Sequence, residues 1–171
     1  MKWIPNALSS LRIAVAIVFP FVAARYRLPL VALALLTEYL DGALARRFKW
    51  ESKTGQLLDP VADKLFVLSA GITFVVAGLI SWPVLLLVSF RDMTIGAGFL
   101  YFLLSSREYH KIAGFRPHMT GKLTTVFQYL LFFDILVFGK PHVVLVALTG
   151  CLNIAAVVVY CRSFAAQMRR A

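Results

Sequence analysis

Six apolar runs, each close to the length of a bilayer crossing, constrain this chain more than any other feature of its sequence. They fall at about residues 7–24, 30–48, 57–79, 82–105, 123–138 and 143–164. A helix that crosses the hydrocarbon core needs about 20 mostly apolar residues. The pattern predicts an all-α, polytopic membrane protein: six transmembrane helices and a short N-terminal interfacial segment around residues 3–11, forming one domain over residues 1–171. The composition agrees. The chain is 60% hydrophobic and 15% charged, whereas a soluble domain averages about 45–50% apolar and about 25% charged. Pro29 stands just ahead of the second run, a position where a helix tolerates proline. The connections are short, which suits antiparallel neighbours, and no repeat or soluble second domain is visible.

The N-terminus has the outline of a signal peptide, with Lys2, an apolar run and then Ala23 and Ala24. Five further runs follow, so the expectation is a retained first helix. The net charge is +10, from 18 Lys and Arg against 8 Asp and Glu. The basic residues are scattered between the apolar runs, which argues against nucleic acid as a partner. They suit anionic membrane lipid or a phosphorylated substrate instead. Arg46, Arg47, Lys49 and Lys53 follow the second run, Arg107, Lys111, Arg116 and Lys122 follow the fourth, and Arg162, Arg169 and Arg170 close the chain. Only Arg25, Arg27 and Lys140 mark the other side. By the excess of positive charge on inner loops, both termini and the two basic loops face the cytoplasm. Cys151 and Cys161 form no metal-binding or disulfide pattern and read as small buried hydrophobes. His110, His118 and His142 read as surface residues of loops.

The acids carry the chemical signal. Glu38, Asp41, Asp59 and Asp63 lie within 26 residues of one another, in or beside predicted spans. One charge at the bilayer centre costs about 2.5–3.5 kcal/mol, so such acids are functional candidates. Glu38 and Asp41 are three apart and Asp59 and Asp63 four apart, so each pair shares one helix face. Two antiparallel helices then aim four carboxylates at one point. Such oxygen-rich sets suit hard cations, and two metals about 3.5–4 Å apart serve in-line phosphoryl chemistry. The plainer readings are local. Asp59-Pro60 makes a good helix start with Asp59 as N-cap, and Glu38 and Asp41 can pair with Arg46 or Lys64. Gly42, Ala45 and Gly55 supply small side chains for close approach of a helix or ligand. Arg46 suits a phosphate or a headgroup. Asp92 balances the adjacent Arg91, while Asp134 has no partner evident in the sequence.

Written out, these residues read E-x2-D-G-x2-A-R-x8-G-x3-D-x3-D over residues 38–63. This resembles the signature of the CDP-alcohol phosphatidyltransferase family, which has Asp where this chain has Glu38. Weaker likeness covers Ile4-Pro5-Asn6 with Arg12, Asp59-Pro60-Val61-Ala62-Asp63-Lys64, Arg91-Asp92 and Gly121-Lys122-Leu123. These segments resemble the bacterial phosphatidylglycerophosphate synthase branch and the cardiolipin synthase that uses CDP-diacylglycerol.

The resemblance implies a six-helix, often homodimeric enzyme of the bacterial inner membrane, with its site open to the cytoplasm. It implies magnesium or manganese, as two ions, on Glu38, Asp41, Asp59 and Asp63, with Asp63 also the base. Gly42, Ala45, Arg46 and Gly55 would border the CDP moiety. The implied reaction transfers a phosphatidyl group from CDP-diacylglycerol to glycerol 3-phosphate, releasing CMP. Packed as in that family, Arg91, Arg116 and Lys122 would take the acceptor's phosphate; phosphatidylglycerol is the alternative acceptor. An ion-conducting membrane protein and a degenerate, non-reacting member are the rival readings. A conduction path needs neither the G-x2-A-R nor the G-x3-D-x3-D context.

Glu38 keeps the charge of an aspartate but moves the carboxylate about 1 Å further out by ordinary C–C geometry. Glu38→Asp is therefore expected to retain or raise CMP release, with a changed magnesium-to-manganese preference, in assays run with each metal in parallel. CMP release by Glu38→Asp alone, with none from the natural chain, would mark the natural chain as degenerate.

Overall fold

The computed structural model describes residues 3–48, 53–104 and 119–168. Among them are six α-helices and no strand: α1 (Trp3–Val18), α2 (Ala24–Phe48), α3 (Lys53–Val76), α4 (Trp82–Leu104), α5 (Met119–Phe138) and α6 (Val143–Met168). The all-α expectation holds, and each helix overlaps one apolar run. Val143–Arg162 is the stretch among the described residues that is long and apolar enough to cross a membrane, with a mean hydropathy of 2.4. Ala7–Phe21 and Leu123–Phe138 are apolar but shorter.

Prolines lie at three of the helix ends that differ from expectation: both ends of α1 and the start of α2. α1 is continuous from Trp3, with no separate interfacial segment, because Pro5 sits in its first turn. There a missing N–H has no intrahelical acceptor to disappoint. α1 stops at Val18 rather than running on to residue 24, and Phe19–Phe21 forms a 3-10 turn around Pro20. Pro20 cannot donate to the carbonyl of Ala16; the Ser69 hydroxyl of α3 does so instead, at 2.5 Å. α2 begins at Ala24, so Pro29 lies inside the helix and not ahead of it. Arg25 and Arg27 are thus helical, Arg25 over the Tyr26 ring at 4.7 Å and Arg27 Nε donating to the Val22 carbonyl at 3.3 Å. α3 begins at Lys53. Asp59 is therefore well inside a helix and does not cap one.

The chain divides into two compact units, one formed by Met1–Ser81 with Phe132–Lys140 and the other by Trp82–Leu131 with Pro141–Ala171. In the first, α1 packs against both α2 and α3. Ser9, Arg12 and Ala16 are buried at helical spacing on α1, Phe19 is buried in the 3-10 turn that follows, and Ala62, Phe66, Ala70 and Phe74 are buried on α3. Phe19 meets the edges of Phe66 and Phe74 at centroid distances of 5.7 and 6.0 Å, and Phe74 meets Phe132 at 5.3 Å. α3 closes in a glycine cap: Gly78 takes φ +72°, Leu79 N–H donates to the Phe74 carbonyl and Gly78 N–H to that of Val75, both at 2.9 Å. That left-handed position accepts glycine without strain.

In the second unit α4 packs against α6. The buried residues include Leu85, Val88, Leu131 and Ala156, together with the polar Ser89, Thr124, Gln128, Thr149 and Asn153. Cys151 and Cys161 are exposed, which corrects the expectation that they are buried. They lie on the outer surface of α6, an apolar helix only 22% buried over its spanning stretch. Gly150 is a point of close approach between α4 and α6: a Cβ there would lie 2.8 Å from Leu87 Cδ2 and 2.9 Å from its Cγ.

Overpacking of that kind costs about 1–3 kcal/mol, offset in part by the gain of about 1 kcal/mol from replacing a mid-helix glycine with alanine. Gly150→Ala is expected to lower the thermal midpoint of the detergent-purified protein. Adding Leu87→Ala removes the clash and should recover part of the loss. A double variant no more stable than Gly150→Ala would sink the close-approach explanation.

Candidate functional site

α1 carries one basic side chain, Arg12, on its buried face. Arg12 is 1% exposed, and its Nη1 donates to Asp63 Oδ1 on α3 at 2.5 Å. The Asp63 side chain is 34% exposed. The cation thus occupies the buried end of the pair and the carboxylate the boundary. A charge taken out of water costs several kcal/mol unless it is paired, and Asp63 supplies a counter-charge for the arginine at the α1–α3 interface. The pair is held in place by what surrounds it. One turn beyond Arg12 is Ala16, tied to α3 through Ser69, and beyond that Phe19 lies against Phe66 and Phe74.

A second charged cluster lies within the other unit. Arg91 donates from Nε (3.2 Å) and Nη2 (2.7 Å) to Asp92 Oδ1. Its Nη1 donates to the Gly121 carbonyl at 2.6 Å and Nη2 also reaches Thr125 Oγ1 at 3.3 Å. Gln128 Nε2 donates to Asp92 Oδ2 at 3.1 Å and to the Val88 carbonyl at 3.3 Å. Both carboxylate oxygens are therefore occupied, and α4 is fastened to α5 by a polar stripe at Gly121, Thr125 and Gln128. Gly121 is itself close-packed, since a Cβ there would lie 2.8 Å from the Tyr160 hydroxyl.

The CDP-alcohol phosphatidyltransferase family model matches residues 2–165. This chain belongs to that family. A CDP-diacylglycerol–glycerol-3-phosphate 3-phosphatidyltransferase of Cereibacter sphaeroides is 39% identical over 105 residues, which is 54% of this chain and 48% of that protein. A cardiolipin synthase (CMP-forming) of Streptomyces coelicolor is 41% identical over 76 residues, 39% of this chain and 35% of its own length. A CDP-diacylglycerol–glycerol-3-phosphate 3-phosphatidyltransferase of Mycoplasma genitalium is 30% identical over 95 residues, 56% of this chain and 38% of that protein. The chain spans about half the length, or less, of the curated relatives it matches.

The named residues of the family signature fall on two helices. Glu38, Asp41, Gly42, Ala45 and Arg46 lie on α2, and Gly55, Asp59 and Asp63 on α3. The i, i+3 and i, i+4 registers that put each acid pair on one helix face are thus kept by the backbone. This all-carboxylate donor set fits a hard divalent cation. The side chains of Glu38, Asp41, Asp59, Arg46 and Lys122 lie outside the described residues, as does all of Arg116. Among the described residues no three His, Cys, Asp or Glu side chains gather into a metal-binding group.

Of the residues expected at the site, the structure thus gives surroundings for Asp63 and Arg91, each within its own unit. The role of Arg12 as the partner of Asp63 is new. Its signal was present in the sequence: an arginine inside an apolar run requires a named partner. The Gly121, Thr125, Gln128 stripe was legible in the same way, as polar residues at helical spacing in an apolar helix.

Asp63→Asn keeps a hydrogen-bond acceptor for Arg12 but removes the counter-charge. Breaking a fully buried pair costs about 3–5 kcal/mol; because Asp63 reaches solvent, the expected loss is nearer the about 1.5–3 kcal/mol of a charge-assisted hydrogen bond. A thermal midpoint for Asp63→Asn equal to that of the natural chain would mean that the pair contributes nothing to stability.

Proposed function

We propose that this chain is a membrane enzyme that transfers a phosphatidyl group from CDP-diacylglycerol to glycerol 3-phosphate, giving phosphatidylglycerophosphate and CMP. The observation that carries the reading is the pairing of a family match over nearly the whole chain with Asp63, the last acid of the signature, held at the boundary of a helix interface by a buried arginine. The relatives named for this reaction in Cereibacter and Mycoplasma support the acceptor.

Asp63 accepts the proton of the acceptor hydroxyl as that oxygen attacks the phosphatidyl phosphorus. The bond to the CMP oxygen breaks, and CMP leaves with the electron pair. Glu38, Asp41, Asp59 and Asp63 would hold magnesium or manganese, as two ions. When bound, the metal neutralises charge developing on the pyrophosphate. Gly42, Ala45 and Gly55 leave room for the CDP moiety, and Arg46 binds a phosphate oxygen. An unperturbed aspartate, with a pKa of about 3.9, is a weak base at neutral pH. Positioning must therefore supply much of the acceleration.

For the acceptor we assign the phosphate to Arg91, Arg116 and Lys122. Arg91 has at most one of its N–H groups to spare after Asp92, Gly121 and Thr125, so it meets the acceptor from a fixed position. The rest of the reading is a homodimer of single-domain chains, residues 1–171, in the bacterial inner membrane with the site facing the cytoplasm. The second reading is a cardiolipin synthase with phosphatidylglycerol as acceptor, favoured by the relative so named in Streptomyces.

The test is CMP release by the purified full chain in vesicles containing CDP-diacylglycerol, with glycerol 3-phosphate and phosphatidylglycerol supplied separately at matched concentration. Glycerol 3-phosphate is expected to yield phosphatidylglycerophosphate, and Arg91→Ala to raise its Michaelis constant far more than that for CDP-diacylglycerol. Cardiolipin formed from phosphatidylglycerol, with no product from glycerol 3-phosphate, would move the chain to the second reading. No CMP with either acceptor and either metal would end the enzymatic one.

A further inference from the structure

We infer that Arg12 is a positioning residue for Asp63: it fixes one carboxylate oxygen so that the plane of the carboxylate, and with it the direction of the reacting oxygen, is set before substrate arrives. This rests on the reading of Asp63 as base and metal-holding acid.

An aspartate carboxylate turns easily, because its terminal torsion is broad and roughly two-fold rather than confined to three wells. A base that has to meet a hydroxyl within hydrogen-bond reach gains from losing that freedom beforehand. Arg12 is suited to the task on three grounds. Its guanidinium is planar and always charged, with rigidly placed donors, and Nη1 lies 2.5 Å from Oδ1. It is 1% exposed while the Asp63 side chain is 34% exposed, so it meets the carboxylate from the buried side. It also stands on a fixed support. The Ser69 hydroxyl ties α3 to the Ala16 carbonyl one turn from Arg12, and Phe19 meets Phe66 and Phe74 beyond it.

A structural ion pair would show the same distance, so the test must separate orientation from stability. Arg12→Lys keeps the buried charge but replaces the planar fork with a single rotatable ammonium. Arg12→Met removes the charge. Four quantities are read on the chain of residues 1–171: thermal midpoint in detergent, kcat and KM for CDP-diacylglycerol in vesicles, and manganese affinity without substrate, from the paramagnetic signal of the free ion. Arg12→Lys is expected to fold with a midpoint within a few degrees of the natural chain and to lose kcat about tenfold. Its KM should stay within about twofold, a split that marks an interaction realised in the transition state. Its manganese dissociation constant should weaken severalfold. Arg12→Met, if it folds, should lose about a hundredfold in kcat, the scale of a 1 Å misplacement.

Natural turnover in Arg12→Lys would overturn the inference even if Arg12→Met fails to fold, because a buried charge would then suffice without fixed geometry. If the natural chain releases no CMP under any condition, phosphatidyl transfer is what has failed. Manganese affinity then decides alone: a constant unchanged by Arg12→Lys overturns the positioning role, and a weakened one supports it.

Discussion

An apolar helix interior gives a charge nowhere to go, and most of this structure answers that constraint. Arg12 is buried between α1 and α3 and is neutralised by an acid on the neighbouring helix. Arg91 is neutralised by the adjacent Asp92, and the pair is then fastened to α5 through Gly121, Thr125 and Gln128. The two solutions differ in kind. The first draws two helices together across a long stretch of sequence and leaves its carboxylate at a boundary. The second occupies both carboxylate oxygens internally and behaves as a strut. The acid of the first pair keeps a third of its side chain exposed, and that of the second almost none.

The number and order of helices were legible in the sequence because each helix is announced by an apolar run of the right length. Their ends were less so, and proline is the reason. At Pro5 the lost N–H has no intrahelical acceptor, so the helix starts earlier than expected. At Pro20 the α-helix gives way to a 3-10 turn, and at Pro29 the helix continues past the ring. At Pro20 the stranded carbonyl is served from tertiary structure. The Ser69 hydroxyl that serves Ala16 is 53 residues away, beyond the reach of any local rule.

The candidate site divides along the same line. The carboxylate registers on α2 and α3 follow from local spacing, and the family match agrees with the signature they compose. The pairing of Arg91 with Asp92 was likewise legible, since the two are adjacent. The partner of Arg12 was not, because Asp63 is 51 residues distant. The burial assigned to Cys151 and Cys161 failed for another reason. Apolar surroundings in sequence imply a protein interior only where water is the solvent; on a helix as apolar as α6 the outer face is equally suited to small thiols.

The exchange at Pro20 also shapes how this sequence can drift. Ser69 donates to a carbonyl that would have its own helical partner if residue 20 had an N–H. The two positions are therefore linked by epistasis. Losing the Ser69 hydroxyl is costly while Pro20 is present, and close to neutral once Pro20 has been replaced by a residue that can donate. A lineage can discard both features, but the low-cost order is proline first and serine second.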